Sequence, residues 1–358
     1  MVAFIKQFLI FIVLLENFIF FQPSEFAAIF KKQLTYQEKL GQLLVLNITP
    51  STSKETITRA IKDYKIGNFN ITGLYTKEND LKTNINLINE LSEKYLKAKP
   101  FIGADEEGEI KRIAWFNFKK QKDIKDSSEA YYEAYQKGKA LKNLGINMIF
   151  APVLDFTESS KDYIWPRTFQ RDKETTIKLA EAMIDGFSDS LIIPIIKHFP
   201  GYLGSNLNPH GKIYESKSLK DYSSSIEVFE NVLKDKGVFG VMMGHLVIEE
   251  FGQKPITRSR EFVSDFRKKY SYQGLLVTDS IGMAAYRLND TFKESALETL
   301  LARYNLIILS SNTNVSFEIV DYLLEQIDRP EVQKAIDDSF LKVYLIKELY
   351  CITSDTYT

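Results

Sequence analysis

The chain has 358 residues, 44% hydrophobic and 26% charged, and its 46 basic and 47 acidic side chains leave a formal net charge of -1. That is enough apolar material for a large core in one or two domains, and the even charge balance, with no long Lys/Arg run, argues against a nucleic-acid partner. A single cysteine, Cys351, leaves no disulfide framework and no cysteine cluster for zinc.

Residues 1–28 carry one early cation, Lys6, an apolar run over 8–15, and a second apolar patch after Glu16. They read as a signal peptide or N-terminal membrane anchor, so an exported chain, periplasmic or membrane-anchored, is expected. The alternative is an amphipathic helix packed on a cytoplasmic domain, because the apolar core is short for a spanning helix and Glu16 interrupts it. No cysteine follows the run to carry a lipid.

From there the pattern is regular. Thr35 and Glu38 form a capping-box signature that opens a first helix. Short apolar runs then recur: LLVLNI at 43–48, ITGLYT at 71–76, PFIGAD at 100–105, NMIFAPVLD at 147–155, LIIPIIKHF at 191–199, GVFGVMMGHL at 237–246, GLLVTDS at 274–280 and YNLIILS at 304–310. They are continuous rather than alternating, as strands buried on both faces of a parallel sheet are. The stretches between them read as helices, one of which starts at the capping box of Asp126 and Glu129 and ends at Gly145. Eight such alternations without a linker predict an α/β fold, a single-domain (β/α)8 TIM-type barrel over 29–350 with a tail at 351–358. A doubly wound open sheet is the alternative, and no glycine-rich dinucleotide fingerprint supports it.

In such barrels the chemistry sits at the C-terminal ends of the strands. Here those ends carry Asp105, Asp155, Lys197 with His198, His245 and Asp279. Any one of these aspartates alone reads as a strand-ending or helix-capping residue. Several ionisable groups at the ends of apolar strands cost too much free energy to be incidental. No histidine pair has metal-binding spacing, so neither a metal nor another cofactor is expected. Glycoside hydrolysis fits better, since it needs a carboxylate nucleophile or base, a proton donor, and polar groups for sugar hydroxyls.

The segment GLLVTDSIGMAA, 274–285, resembles the nucleophile strand of glycoside hydrolase family 3, in which the aspartate of a [ST]-D-[DS]-L-x-M pattern attacks the anomeric carbon. Further segments match in the same order: LTYQEKLGQLLVLNI, GADEEGEIKR, LGINMIFAPVLD, PRTFQRD, KHFPG, VMMGHL and PITRSREFVSDFRKKYSYQG. No sandwich-like second domain follows the barrel pattern, so the resemblance is to the single-domain bacterial β-N-acetylglucosaminidases (β-hexosaminidases) rather than to the β-glucosidases. It implies a retaining exo-glycosidase that releases terminal GlcNAc from peptidoglycan-derived or related amino-sugar glycosides, with a carbohydrate as its partner and a monomeric state.

Carried over residue by residue, the resemblance makes Asp279 the nucleophile and His210 the acid/base. Asp105, Arg112, Arg167, Lys197 and His198 hold the sugar hydroxyls, and His245 matches the S-H after the sixth strand, where it shapes the pocket. Arg112 sits in a segment one residue shorter than the family's D-x-E-G-G-R-V-x-R. The loop KHFPGYLGSNLNPHGK departs further from the pattern K-H-F-P-G-H-G-x-[ST]-x-x-D-S-H. Tyr202, Leu203 and Gly204 replace H-G-D, Pro209 replaces the serine, and Asn208 replaces the aspartate that backs His210. An asparagine can orient an imidazole but adds no charge to raise its pKa, so a weaker acid/base is expected. Glu106, Glu107 or a phosphate acting in place of water are the alternatives for that step. The competing reading of the whole chain is a weakened barrel that binds amino sugars or muropeptides, or an exo-glycosidase for another sugar.

Overall fold

The computed structural model describes residues 34–96, 98–204 and 216–355. Residues 1–28, with their expected signal or anchor, and the loop positions Asn208 and His210 lie outside the described residues. Eight parallel strands alternate with helices: β1 (Leu44–Ile48), β2 (Asn68–Ile71), β3 (Phe101–Ala104), β4 (Met148–Ile149), β5 (Ile193–Phe199), β6 (Gly240–Met243), β7 (Leu275–Thr278) and β8 (Ile307–Ile308). The sheet order is β7-β6-β5-β4-β3-β2-β1-β8, and a parallel bridge between Val277 and Leu306 closes the ring. This is the expected (β/α)8 barrel.

The helices are α1 (Tyr36–Gly41), α2 (Lys54–Lys62), α3 (Glu78–Tyr95), α4 (Ser127–Asn143), α5 (Lys173–Asp189), α6 (Ser223–Asp235), α7 (Arg260–Lys269), α8 (Ala284–Arg287), α9 (Phe292–Leu301), α10 (Thr313–Glu325) and α11 (Pro330–Asp355). Most begin at a side-chain cap: Thr35, Ser53, Asp126, Asp172, Ser259, Thr291 and Asn312 each accept a bond from a first-turn N–H. The box at Thr35 and Glu38 is reciprocal. At Asp126 only half of it forms, because the Glu129 carboxylate turns instead to the Lys125 N–H and to the Lys119 ammonium.

Two boundaries differ from the sequence reading. The second strand is NFNI at 68–71, not the ITGLYT run. Asn68 and Asn70 hid it, because both are buried polar residues that bond to the neighbouring strand segment: Asn68 donates to the carbonyls of Gln42 and Leu44, and Asn70 donates to Asn47 Oδ1. At the other end α11 continues through 351–355, where a tail was expected.

Helix α11 covers the N-terminal end of the barrel. Its Asp337 pairs with Lys39 of α1 at 2.8 Å, and its buried Lys347 bonds Gln42 Oε1 at 2.7 Å and the Gly67 carbonyl at 3.1 Å. The open end is therefore the C-terminal one, where the polar strand ends converge. Among the described residues no helix is long and apolar enough to cross a membrane.

Candidate active site

Strand β5 supplies the centre of the site. All seven of its residues are buried, so Lys197 and His198 enter the barrel mouth from an apolar strand and need partners. Lys197 Nζ stands 2.6 Å from Asp105 Oδ1, just past β3, and 2.8 Å from Glu107 Oε1. Arg167, in the turn Trp165–Arg167 after β4, grips the same Glu107 with two bonds of 2.8 Å, one to each carboxylate oxygen. The result is a continuous chain of alternating charge, Asp105, Lys197, Glu107, Arg167.

Glu107 is the fixed point of that chain. Burial pushes its pKa up, but the charges of Arg167 and Lys197 outweigh burial and hold it well below the usual carboxylate range. Arg167 is pushed the other way: burial alone would lower it, and Glu107 more than offsets that. Glu107 thus stays ionised and cannot donate a proton at neutral pH, which removes it as the alternative acid. Glu106 is buried and one of its oxygens accepts the N–H groups of Arg112 at 2.6 Å and Ile113 at 3.1 Å, while burial pushes its pKa up, so it stays an alternative acid.

A second chain runs from β4 to the far wall. Asp155 is buried; its Oδ2 accepts both the backbone N–H and the ring Nδ1–H of His198 at 2.9 Å, and its Oδ1 accepts the Tyr202 N–H at 2.6 Å. Burial raises its pKa, but His198 and these hydrogen bonds outweigh burial and keep the carboxyl below its ordinary value. With Nδ1 donating, His198 Nε2 faces Arg167 at 3.4 Å and the pocket. Asp155 thus belongs to the site as the group that fixes the His198 ring, a role its place at a strand end only hinted at.

Asp279 lies one residue beyond β7. Its N–H donates to the Met243 carbonyl of β6 at 3.1 Å, and the next residue, Ser280, is tied to the Leu309 carbonyl at 3.1 Å, so two neighbouring strands set its height. One carboxylate oxygen accepts the Ser280 N–H at 2.7 Å, and the other accepts the Tyr202 hydroxyl at 2.9 Å. Burial pushes its pKa up, but nearby His198 and His245 with these two donors outweigh that, and the carboxyl stays below its usual value. It is only partly covered, not fully enclosed. An ionised, reachable carboxylate at a barrel mouth is what a nucleophile requires.

The remaining expected residues divide by accessibility. Arg112 stands 3.8 Å from Asp105, with about a quarter of its side chain exposed, and its buried Nε has no hydrogen-bond partner. It can turn toward a bound hydroxyl. His245 is fully buried, with Nδ1 against Thr257 Oγ1 at 2.8 Å and Nε2 against the Ser280 carbonyl at 3.0 Å. Its ring thus packs beside Asp279, with both nitrogens engaged, in a pocket-shaping position. Asn208 and His210 are outside the described residues. Tyr202, which the sequence marked only as a departure from a pattern, lies at the centre of the site.

Known proteins resemble the chain in sequence and in fold. The β-hexosaminidase LpqI of Mycobacterium tuberculosis is 29% identical over 225 residues, 60% of this chain and 57% of that protein, and the β-hexosaminidase of Haemophilus influenzae is 26% identical over 183 residues, 50% of this chain and 52% of that protein. The chain thus aligns with little more than half the length of these curated relatives. A β-N-acetylhexosaminidase from Beutenbergia cavernae superposes with a TM-score of 0.81 at 22% identity, over 88% of this chain and 99% of that one. Mycobacterium tuberculosis LpqI superposes with a TM-score of 0.78 at 25% identity, over 90% and 96%. The family model of the glycosyl hydrolase family 3 N-terminal domain matches residues 35–346, and the chain belongs to that family.

Proposed function

We propose that the chain is a retaining exo-β-N-acetylglucosaminidase acting on terminal GlcNAc of peptidoglycan-derived or related amino-sugar glycosides. The observation that carries this is Asp279, an ionised carboxylate at the open mouth of the barrel, beside the polar groups of Asp105, Arg112, Arg167, Lys197 and His198. The named activities of the related β-hexosaminidases support the sugar. In the first step an Asp279 oxygen attacks the anomeric carbon as the bond to the leaving oxygen breaks, and that oxygen takes a proton. In the second, water loses a proton and displaces Asp279, which restores the carboxylate and the β configuration.

His210 is the proposed proton carrier in both steps. Among the described carboxylates near the pocket, Glu107 and Asp155 are held ionised by cations or hydrogen-bond donors, and Glu106 is engaged with backbone N–H groups. Glu107 and Asp155 are thus unsuited to donate, which supports His210 on the loop after β5, with Glu106, whose pKa burial raises, as the alternative. The sugar hydroxyls would be met by Asp105, Arg112, Arg167, Lys197 and His198, whose mutual pairing fixes them before a ligand arrives. Residues 1–28 are proposed to export the protein or tether it to a membrane, and cell fractionation of the full-length chain against one lacking 1–28 tests that.

The activity is tested by release of 4-nitrophenol from aryl GlcNAc and aryl glucose β-glycosides, with Asp279→Ala as control. Release from the GlcNAc glycoside that vanishes in the variant is expected. Wild-type release no greater than that of Asp279→Ala would end the proposal and leave a sugar-binding barrel.

A further inference from the structure

We propose that Tyr202 is a positioning residue for the nucleophile: its hydroxyl fixes the plane of the Asp279 carboxylate, and Gly244 provides the room that lets it do so. This rests on the reading of Asp279 as nucleophile. Tyr202 stands where the resembled loop pattern has histidine, in KHFPGY rather than KHFPGH. Its ring is 2% exposed, and its backbone N–H is fixed to Asp155 Oδ1 at 2.6 Å.

The direction of the phenolic proton follows from the bonds around it. The Tyr202 oxygen accepts the backbone N–H of His245 at 2.9 Å, and its own proton is donated to Asp279 Oδ2, also 2.9 Å away. The Ser280 N–H holds Oδ1. With a donor on each oxygen the carboxylate can neither rotate nor be left half-solvated. When the bond between the anomeric carbon and Asp279 breaks in the second step, its electron pair returns to a carboxylate whose donors are already in place.

Gly244 carries the second, independent observation. A Cβ there would stand 3.0 Å from Tyr202 Cζ, 3.2 Å from Cε1 and 3.3 Å from the hydroxyl oxygen. The resembled pattern has serine at this position, before the histidine after the sixth strand. The Gly244 N–H is itself tied to the Phe199 carbonyl of β5 at 2.9 Å, so the backbone cannot easily retreat. A larger ring at 202 and a lost side chain at 244 therefore form a matched pair. An alanine at 244 would push the ring by a few tenths of an ångström and stretch its bond to Asp279.

Among the described residues, the charged and titratable groups facing Asp279 are His198 from β5, His245 from the segment after β6, and Tyr202 itself. Neither histidine is changed in the test, so the two serve as a constant background. The full-length chain is labelled with ¹³C at aspartate carboxyls, and the Asp279 signal, assigned by its loss in Asp279→Asn, is titrated in wild type, Tyr202→Phe and Gly244→Ala. Loss of a donor to the ionised form should move the Asp279 titration up by about one pH unit in Tyr202→Phe, which keeps the ring, and part of the way in Gly244→Ala. The acid limb of kcat/KM should move by the same amount, and kcat should fall about tenfold with KM little changed.

An Asp279 titration identical in wild type and Tyr202→Phe overturns the proposal, and so does lost activity with an unmoved titration, which would mark a structural role only. A shifted titration in a chain whose wild type releases no aryl group supports the action of the hydroxyl on Asp279 and overturns the glycosidase reading instead.

Discussion

Replacing Glu107 by glutamine tests the charge chain at its most constrained point. The side chain receives three donors within 2.8 Å, two from Arg167 and one from Lys197, and is 1% exposed, as is Lys197. A glutamine offers one acceptor oxygen and turns its own NH2 toward a cation, while the net negative charge between Arg167 and Lys197 disappears. Lys197 keeps Asp105, so the loss is partial for it. Removing one partner from a buried ion pair costs about 3–5 kcal/mol, which at a urea slope near 3 kcal/mol/M is a midpoint drop of about 1–1.7 M. The pH dependence has a definite sign. The folded-state pKa of Glu107 is depressed below the unfolded value of about 4.3, so its contribution is present above that value and is lost as pH falls through it toward the folded value. Unfolding followed by tryptophan fluorescence, with Trp165 two residues from Arg167, should therefore show the wild type losing its advantage over Glu107→Gln below about pH 4. A midpoint difference at pH 7 under roughly 0.3 M, or one that does not shrink with acid, would refute the reasoning.

Asn208→Asp should raise kcat for aryl GlcNAc release near neutral pH, because a carboxylate restores the charge that favours protonated His210; an unchanged or lower rate would show that the missing charge does not limit turnover. Asn68→Leu should cost about 3 kcal/mol, since it takes the side-chain donor from the Gln42 carbonyl, bonded at 2.8 Å, and the side-chain acceptor from the Phe101 N–H, bonded at 3.3 Å, in a buried position. Urea unfolding measures it, and a loss under about 1 kcal/mol would mean that other groups take over those bonds.

Much of the fold was legible because parallel strands buried on both faces leave unbroken apolar runs, and LIIPIIKHF and GLLVTDS are of that kind. The strand NFNI was not, since a polar residue at every second position reads as a loop until its bonds to other strands are known. The site was legible where chemistry and strand ends coincide, at Asp105, Lys197, His198 and Asp279. It was illegible where the partner is distant in sequence. Nothing local says that Glu107 will sit between Arg167 and Lys197, or that Tyr202 will reach a carboxylate 77 residues away. Gly244 is quieter still, because its contribution is the absence of a side chain. His245 stands on a motif position, but its ring partners, Thr257 and the Ser280 carbonyl, are likewise distant in sequence.

The alternating chain from Asp105 to Arg167 also bears on which molecules the pocket tolerates. Its cations already have counter-ions, so an uncharged sugar meets oriented dipoles that need not rearrange or shed a tight hydration shell when it docks. A carboxylated sugar ring would have to compete with Glu107 and Asp105 for the same ammonium and guanidinium groups, and would gain little for the water it gives up. If the chain acts as proposed, internal charge compensation among these described residues would favour neutrality at the reacting ring.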